Sequence, residues 1–288
     1  MSPDTFSVVA RALGFVVLLQ AAGVALFLAA LGDRLEGSLS AIRCVGRRLA
    51  VAATPLLVMH YALEAARMAD DWTGVFDPNL QRMVLASPAS AVLAMRLLGL
   101  GTVAIACRRN AGAYLRTAAV AGALLIAASF AFTGHTATHP WRALLAPLLM
   151  THVLIVAFWI GSLLSLFLAT TREKAPRVGQ VFEAFSAIAI WAVPVIGVAG
   201  LVMTVTLVRH LDVFLEPYGW LLIGKVLAFT ALLGIGALNR WLLGPAVAMA
   251  AEGASRAFRH SLAAEYALIA GVLMATAILT SFFSPDLP

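Results

Sequence analysis

Apolar residues fill this chain in long unbroken blocks, not in the short pulses of a half-buried strand or a surface helix. Eight blocks stand out, at approximately 6–31, 49–68, 88–107, 114–133, 142–169, 180–208, 219–243 and 258–283. A helix needs about 20 mostly apolar residues to cross a bilayer, and each block meets that length. A helix closes its own backbone hydrogen bonds, as hydrocarbon requires. The pattern therefore predicts an all-α, polytopic transmembrane helix bundle of about eight spanning helices, one membrane domain over residues 1–288. The first block starts near Phe6 with no basic stretch before it and is long enough to span, so it is read as a retained helix.

The polar interruptions alternate in charge. Arg34, Arg43, Arg47 and Arg48 follow the first block, and Asp70, Asp71 and Asp77 follow the second. Basic loops return after the third, fifth and seventh, with Arg108, Arg109 and Arg116, then Arg172, Lys174 and Arg177, then Arg240, Arg256 and Arg259. The positive-inside rule places these basic loops in the cytoplasm and both termini on the periplasmic side. The stretch from Trp72 to Ser87 reads as an external loop with a short amphipathic piece on the membrane. Trp72, Trp141 and Trp220 fall where interfacial aromatics gather. Pro55, Pro147 and Pro194 lie inside spans, and Gly197 and Gly200 predict close helix contact.

Composition supports this picture. The chain is 62% hydrophobic and 12% charged, with mean hydropathy +0.94, against about 45–50% and about 25% for soluble domains. The net charge of +6 would suit nucleic acid in a soluble protein, but here it resides in topology-setting loops, and no nucleic-acid role is expected. Cys44 and Cys107 sit near basic loops, and no disulfide is expected between them.

Ionisable residues inside spans are costly and mark function by default. The candidates are Arg11, His60, Glu64, Arg96, His152, Lys225 and Glu265, with His135, His139 and His210 at span ends. His60, His135, His139 and His152 all fall toward one side of the membrane, and Met59 and Met150 adjoin two of them. Imidazole and thioether together, without cysteine, suit copper in either oxidation state. His135 and His152 are the leading metal ligands, with His60, His139 and Met150 as weaker additions. Each has a plainer reading: methionine as core filler, His139 as a solvated loop residue, His60 and Glu64 as a hydrogen-bonded pair one turn apart. Glu64, Lys225 and Glu265 are candidates for bracing or gating the bundle, Lys225 by pairing with Glu265 or a tyrosine.

From Thr133 onward the chain resembles the copper resistance protein D family of bacterial inner-membrane proteins. The resemblance is carried by Thr133-Gly134-His135, by His152 with Phe158-Trp159-Ile160-Gly161, by Phe185-Ser186 and Gly200, by Tyr218-Gly219, Lys225 and Asn239-Arg240, and by Glu265 with Thr276 and Leu279. Ser162 stands where the family often has a second glycine. The first half matches only in topology and in a basic loop. The resemblance implies a multi-pass protein of the bacterial cell inner membrane that handles copper, with a separate periplasmic copper-binding protein of the CopC type as partner.

The expected function is copper homeostasis: copper taken from the periplasm and moved inward through the outward His/Met cluster, without enzymatic chemistry. Three alternatives stay open. They are a haem- or copper-linked redox protein, for which no paired histidines at equal depth are apparent; a copper-delivery or assembly factor without transport; and a proton-coupled carrier of another substrate, with Glu64, Lys225 and Glu265 as relay.

Overall fold

The computed structural model describes residues 3–108, 114–208 and 211–282; the side chains of Pro3, His135 and Leu211 lie outside the described part. Among the described residues there is no strand. The helices are α1 (Pro3–Leu31), α2 (Leu39–Ala69), α3 (Pro78–Ala86), α4 (Pro88–Ala106), α5 (Tyr114–Phe130), α6 (His135–Thr138), α7 (Arg142–Arg172), α8 (Ala175–Leu207), α9 (Pro217–Leu238), α10 (Gly244–Ala248) and α11 (Ala254–Phe282). A π-helical turn, Asn239–Leu243, joins α9 to α10, so that Pro217–Ala248 runs as one segment.

Seven segments among the described residues are long and apolar enough to cross a membrane. The block expected at 114–133 forms α5, which has 17 residues and measures about 25 Å at 1.5 Å per residue. It stops at Phe130 because residues 131–134 turn, ending on Gly134 at φ +73°, a left-handed conformation that glycine adopts without penalty. The second span begins ten residues earlier than its apolar block, at Leu39 against 49, because its arginine-rich start is already helical. The stretch after Trp72 is more ordered than an external loop. A 3-10 turn over Trp72–Phe76 leads into α3, which Pro78 opens at its first turn and Asp77 caps through the amides of Asn79 (2.8 Å) and Leu80 (3.4 Å).

The helices alternate in direction. The start of α1, the 70–87 region, the α5–α7 connection and the end of α11 share one end, here the acidic end. The connections at 32–38, 172–174 and 249–253 share the other, the basic end.

Helix α1 is the hub, packing against α2, α5, α7 and α11. It crosses α7 backbone to backbone. A Cβ on Gly23 would lie 1.7 Å from the Ala157 carbonyl oxygen, and one on Gly161 would lie 2.1 Å from the Gly23 carbonyl carbon. Small residues drive association in lipid because they let backbones approach, and here they fix the centre of the bundle. Beside the crossing, the buried Gln20 side chain donates to the Ile160 carbonyl at 3.2 Å. Gly99 and Gly122 make a similar approach between α4 and α5. Gly197 and Gly200, expected to mark the close contact, do not: a Cβ on either would meet only side chains at ordinary distance, Phe229 at 3.5 Å and His152 at 3.8 Å. A glycine beside a proline in sequence says nothing of which helix face it occupies.

At the basic end, the Glu173 carboxylate accepts from the Glu36 amide (2.9 Å), the Ser38 amide (2.9 Å) and the Ser38 hydroxyl (2.6 Å), pinning the α1–α2 turn to the end of α7. Arg177 pairs with Glu36 and Arg116 with Asp33. Helices α8 and α9 are the least buried, with Trp191, Val205, Leu227 and Trp241 turned outward as a lipid-facing surface requires. Cys44 and Cys107 are both free thiols, the second buried.

Candidate functional site

The histidines fall into two neighbourhoods built on different helices. The first lies where α1, α2, α4, α5 and α11 meet near the acidic end. His60 is engaged on both ring nitrogens, Nδ1 by the Ser7 hydroxyl at 3.2 Å and Nε2 by Glu64 at 3.5 Å. Glu64 also pairs with Arg67, whose Nε donates to Asp4 at 2.9 Å. Arg11 donates to the Ser281 hydroxyl at 2.8 Å and the Thr280 carbonyl at 3.3 Å. The buried Arg96 donates from Nε to the Ser129 hydroxyl at 3.0 Å and lies over the rings of Phe130 (4.8 Å) and Phe15 (5.7 Å). The charges of Arg11, Arg67 and Arg96 all act on the His60 ring. An imidazole with both nitrogens engaged and three guanidiniums around it is poorly set to receive a metal cation.

The second neighbourhood lies among α7, α8 and α9. His152 stands ten residues into α7, about 15 Å from its acidic end at the helical rise. Its Nδ1 is buried and has no hydrogen-bond partner. The ring lies within hydrogen-bonding reach of the Ile196 backbone and beside Gly200 on α8, and the charge of Lys225 on α9 acts on it. Lys225 forms no hydrogen bond or ion pair among the described residues, and the pairing expected with Glu265 is not made. Met203 follows Gly200 by three residues, so it shares the α8 face that meets His152. Met150 precedes His152 by two, which puts it on a different face of α7. A cleft of about 480 Å³, lined by Pro147, Thr151, Pro194 and Ala199 among others, opens between α7 and α8.

Deeper in the bundle, the Glu265 carboxylate accepts from the Trp159 indole at 3.1 Å and from the Asn239 side-chain amide. Glu265 is 3% exposed and Asn239 1%. Sequence reading singled out Glu265 but not the role of Asn239. The signal available for it was an asparagine inside an apolar block, where an unsatisfied amide is costly.

The remaining expected site residues lie at the acidic end. His139 is half-buried in the α6–α7 connection, where its Nδ1 accepts from the Trp141 amide at 3.1 Å. His135 opens α6, and its side chain lies outside the described part; His210 lies outside the described residues altogether. Asp70 ends α2, Asp71 accepts from the Thr73 hydroxyl, and Asp77 caps α3, so each has a local structural role. The Thr73 hydrogen bond holds the Asp71 carboxyl below the usual carboxylate range. Among the described residues no group of three or more His, Cys, Asp or Glu side chains converges as a metal site.

Comparison with known proteins follows the same two halves. Residues 1–143 match the copper resistance protein D-like N-terminal domain, so the first half carries more than topology. Residues 179–279 match copper resistance protein D. The chain is 29% identical over 163 residues to a protein of Bacillus subtilis (strain 168) described as copper transport protein CutJ; the match takes in 55% of this chain and 29% of that protein. The chain thus spans less than a third of the length of that relative. No solved structure matches. With both matched regions in order along one helical bundle, this chain belongs to the copper resistance protein D family.

Proposed function

We propose that this protein carries copper across the membrane, with His152 as the ligand inside the bundle. The observation that supports this reading is the buried, unpartnered Nδ1 of His152. A buried polar atom without a partner is costly and calls for an explanation, and a metal ion supplies one. Met203 on the facing helix and His135 at the acidic-end mouth complete a set of imidazole and thioether donors, which suits copper. Met150 would contribute only where α7 rotates. His60 belongs to the ion network around Arg67, and His139 to the surface connection. Lys225 opposes a bare cation at His152, so it is assigned a gating role. Glu64 and Glu265 brace the bundle.

The protein is read as a carrier without catalytic chemistry, in a bacterial inner membrane, with its acidic end in the periplasm. Copper enters at that end, and a periplasmic copper-binding protein of the CopC type is the proposed donor. The test is copper accumulation in copper-fed cells expressing the wild type or the His135→Ala/His152→Ala variant at matched protein level. The wild type should accumulate copper above empty cells and the variant should not. Wild-type cells indistinguishable from empty cells would overturn the carrier reading in favour of delivery or assembly.

A further inference from the structure

The strongest unused feature is the buried pair Glu265 and Asn239. Glu265 lies 17 residues before the end of α11, about 26 Å from its acidic end, past the middle of the bundle. Both its carboxylate oxygens face neutral donors, the Trp159 indole and the Asn239 amide, and among the described residues no cation pairs with it. An isolated buried carboxylate is among the most expensive groups a membrane interior can hold. The side-chain oxygen of Asn239 is also buried and has no partner. Two oxygen acceptors are therefore held together, one of them unused, where a single proton would satisfy both. With Glu265 ionised, the Asn239 NH2 donates to it. With Glu265 protonated, the Asn239 amide turns over and its oxygen accepts the carboxyl proton, a reversal that the near-equivalence of the two amide ends permits.

The backbone is arranged for this. Asn239 begins the π-helical turn, and such single turns inside α-helices frequently occur at functional sites. The next residue, Arg240, donates to the Ser186 hydroxyl at 2.5 Å and lines a cavity of about 690 Å³ between α8 and α10. Gln180, Glu183 and Ser186 also line that cavity, which begins one residue beyond Asn239.

We infer that Glu265 and Asn239 form a proton-binding site, with the carboxyl taking up and releasing one proton and the amide reversing to match. Its oxygen donors suit a hard cation such as the proton, whereas the nitrogen and sulfur donors near His152 suit a soft one. The ionisable groups on the elements packed against Glu265 are Asp4 and Arg11 on α1, Arg142, His152 and Arg172 on α7, Tyr218 and Lys225 on α9 and Arg240 in the π-helical turn. α10 carries none, and α11 itself adds Arg256, Arg259, His260 and Tyr266. None is in salt-bridge contact with Glu265 among the described residues.

The site stands independently of copper and is tested without it. Infrared difference spectra of the full-length protein in lipid, recorded across pH, read the carbonyl stretch of a protonated carboxylic acid. The wild type should show a pH-dependent acid band that is missing from Glu265→Gln. Removing the indole donor in Trp159→Phe should move the band's midpoint upward by about one pH unit, since one hydrogen bond to the ionised form is lost. The Trp159→Phe shift needs no folded Glu265→Gln protein. A wild-type spectrum without a titrating band, or a band unchanged in both variants, overturns the inference.

Discussion

The two halves of the bundle spend their polar residues differently. Around His60, the histidine, both carboxylates and all three guanidiniums have partners: Glu64 and Asp4 meet Arg67, Arg11 reaches α11, and Arg96 rests on Ser129 and two aromatic rings. Around His152 and Asn239, buried polar atoms are left over. Six ionisable groups that all have partners within the bundle hold helices together and ask for nothing further. Unpartnered atoms at similar cost call for an explanation that packing does not supply. Histidine content does not separate the two neighbourhoods, but accounting for each ring nitrogen does.

The contrast is sharpest in paired substitutions. His152→Ala should lower copper affinity at least tenfold, about 1.4 kcal/mol or more, while leaving the unfolding temperature near that of the wild type. Equilibrium copper binding and thermal unfolding of the purified protein read both, and undiminished affinity would sink the contrast. Arg67→Met should do the reverse, leaving Asp4 and Glu64 without their shared cation. A loss of about 1–2 kcal/mol is expected, at the low end for charged hydrogen bonds because Arg67 is partly exposed, with copper affinity unchanged. His60→Ala removes the Ser7 and Glu64 contacts and should cost about 1 kcal/mol in stability; a copper defect as large as that of His152→Ala would show that both neighbourhoods bind metal.

The smallest effect lies at the basic end, away from both. Burial raises the Glu173 carboxyl, but the hydrogen bonds from Ser38, Glu36 and Gly37 outweigh it and hold the group below its ordinary value. A depressed carboxyl contributes stability that is present above its unfolded value and fades as pH falls through its folded one. Acid unfolding of the wild type should therefore include a component from Glu173 below the ordinary glutamate range. Glu173→Gln should remove that component and lower stability at neutral pH by a few tenths of a kcal/mol, the scale of an exposed polar contact. Stability against pH, measured on both proteins, checks it.

Hydropathy carried most of the fold. Seven of the expected blocks appear as long apolar segments, and the eighth appears as the shorter α5. What hydropathy cannot supply is the rotation of each helix about its axis. Depth alone put His60 and His152 on one side of the membrane, yet one turns into the α1–α2 ion network and the other toward α8 and α9. The same gap concealed the Gly23–Gly161 crossing, because position in an apolar block does not say which face of its helix a glycine occupies. It also hid Asn239, whose meeting with Glu265 depends on the extra residue in a π-helical turn that no periodicity announces.

That crossing also bears on how the protein is made. Helix α1 is the hub, yet the glycine it fits against belongs to α7, which leaves the ribosome much later. During that interval α1 has α2, α4 and α5 to pack against but not α7, which leaves open the groove around Gly23 and the amide of Gln20. Its apolar length lets it wait without unravelling. The notch left open is one that only a helix with a small residue at the matching height can close, so α1 serves during synthesis as the gauge against which α7 is registered.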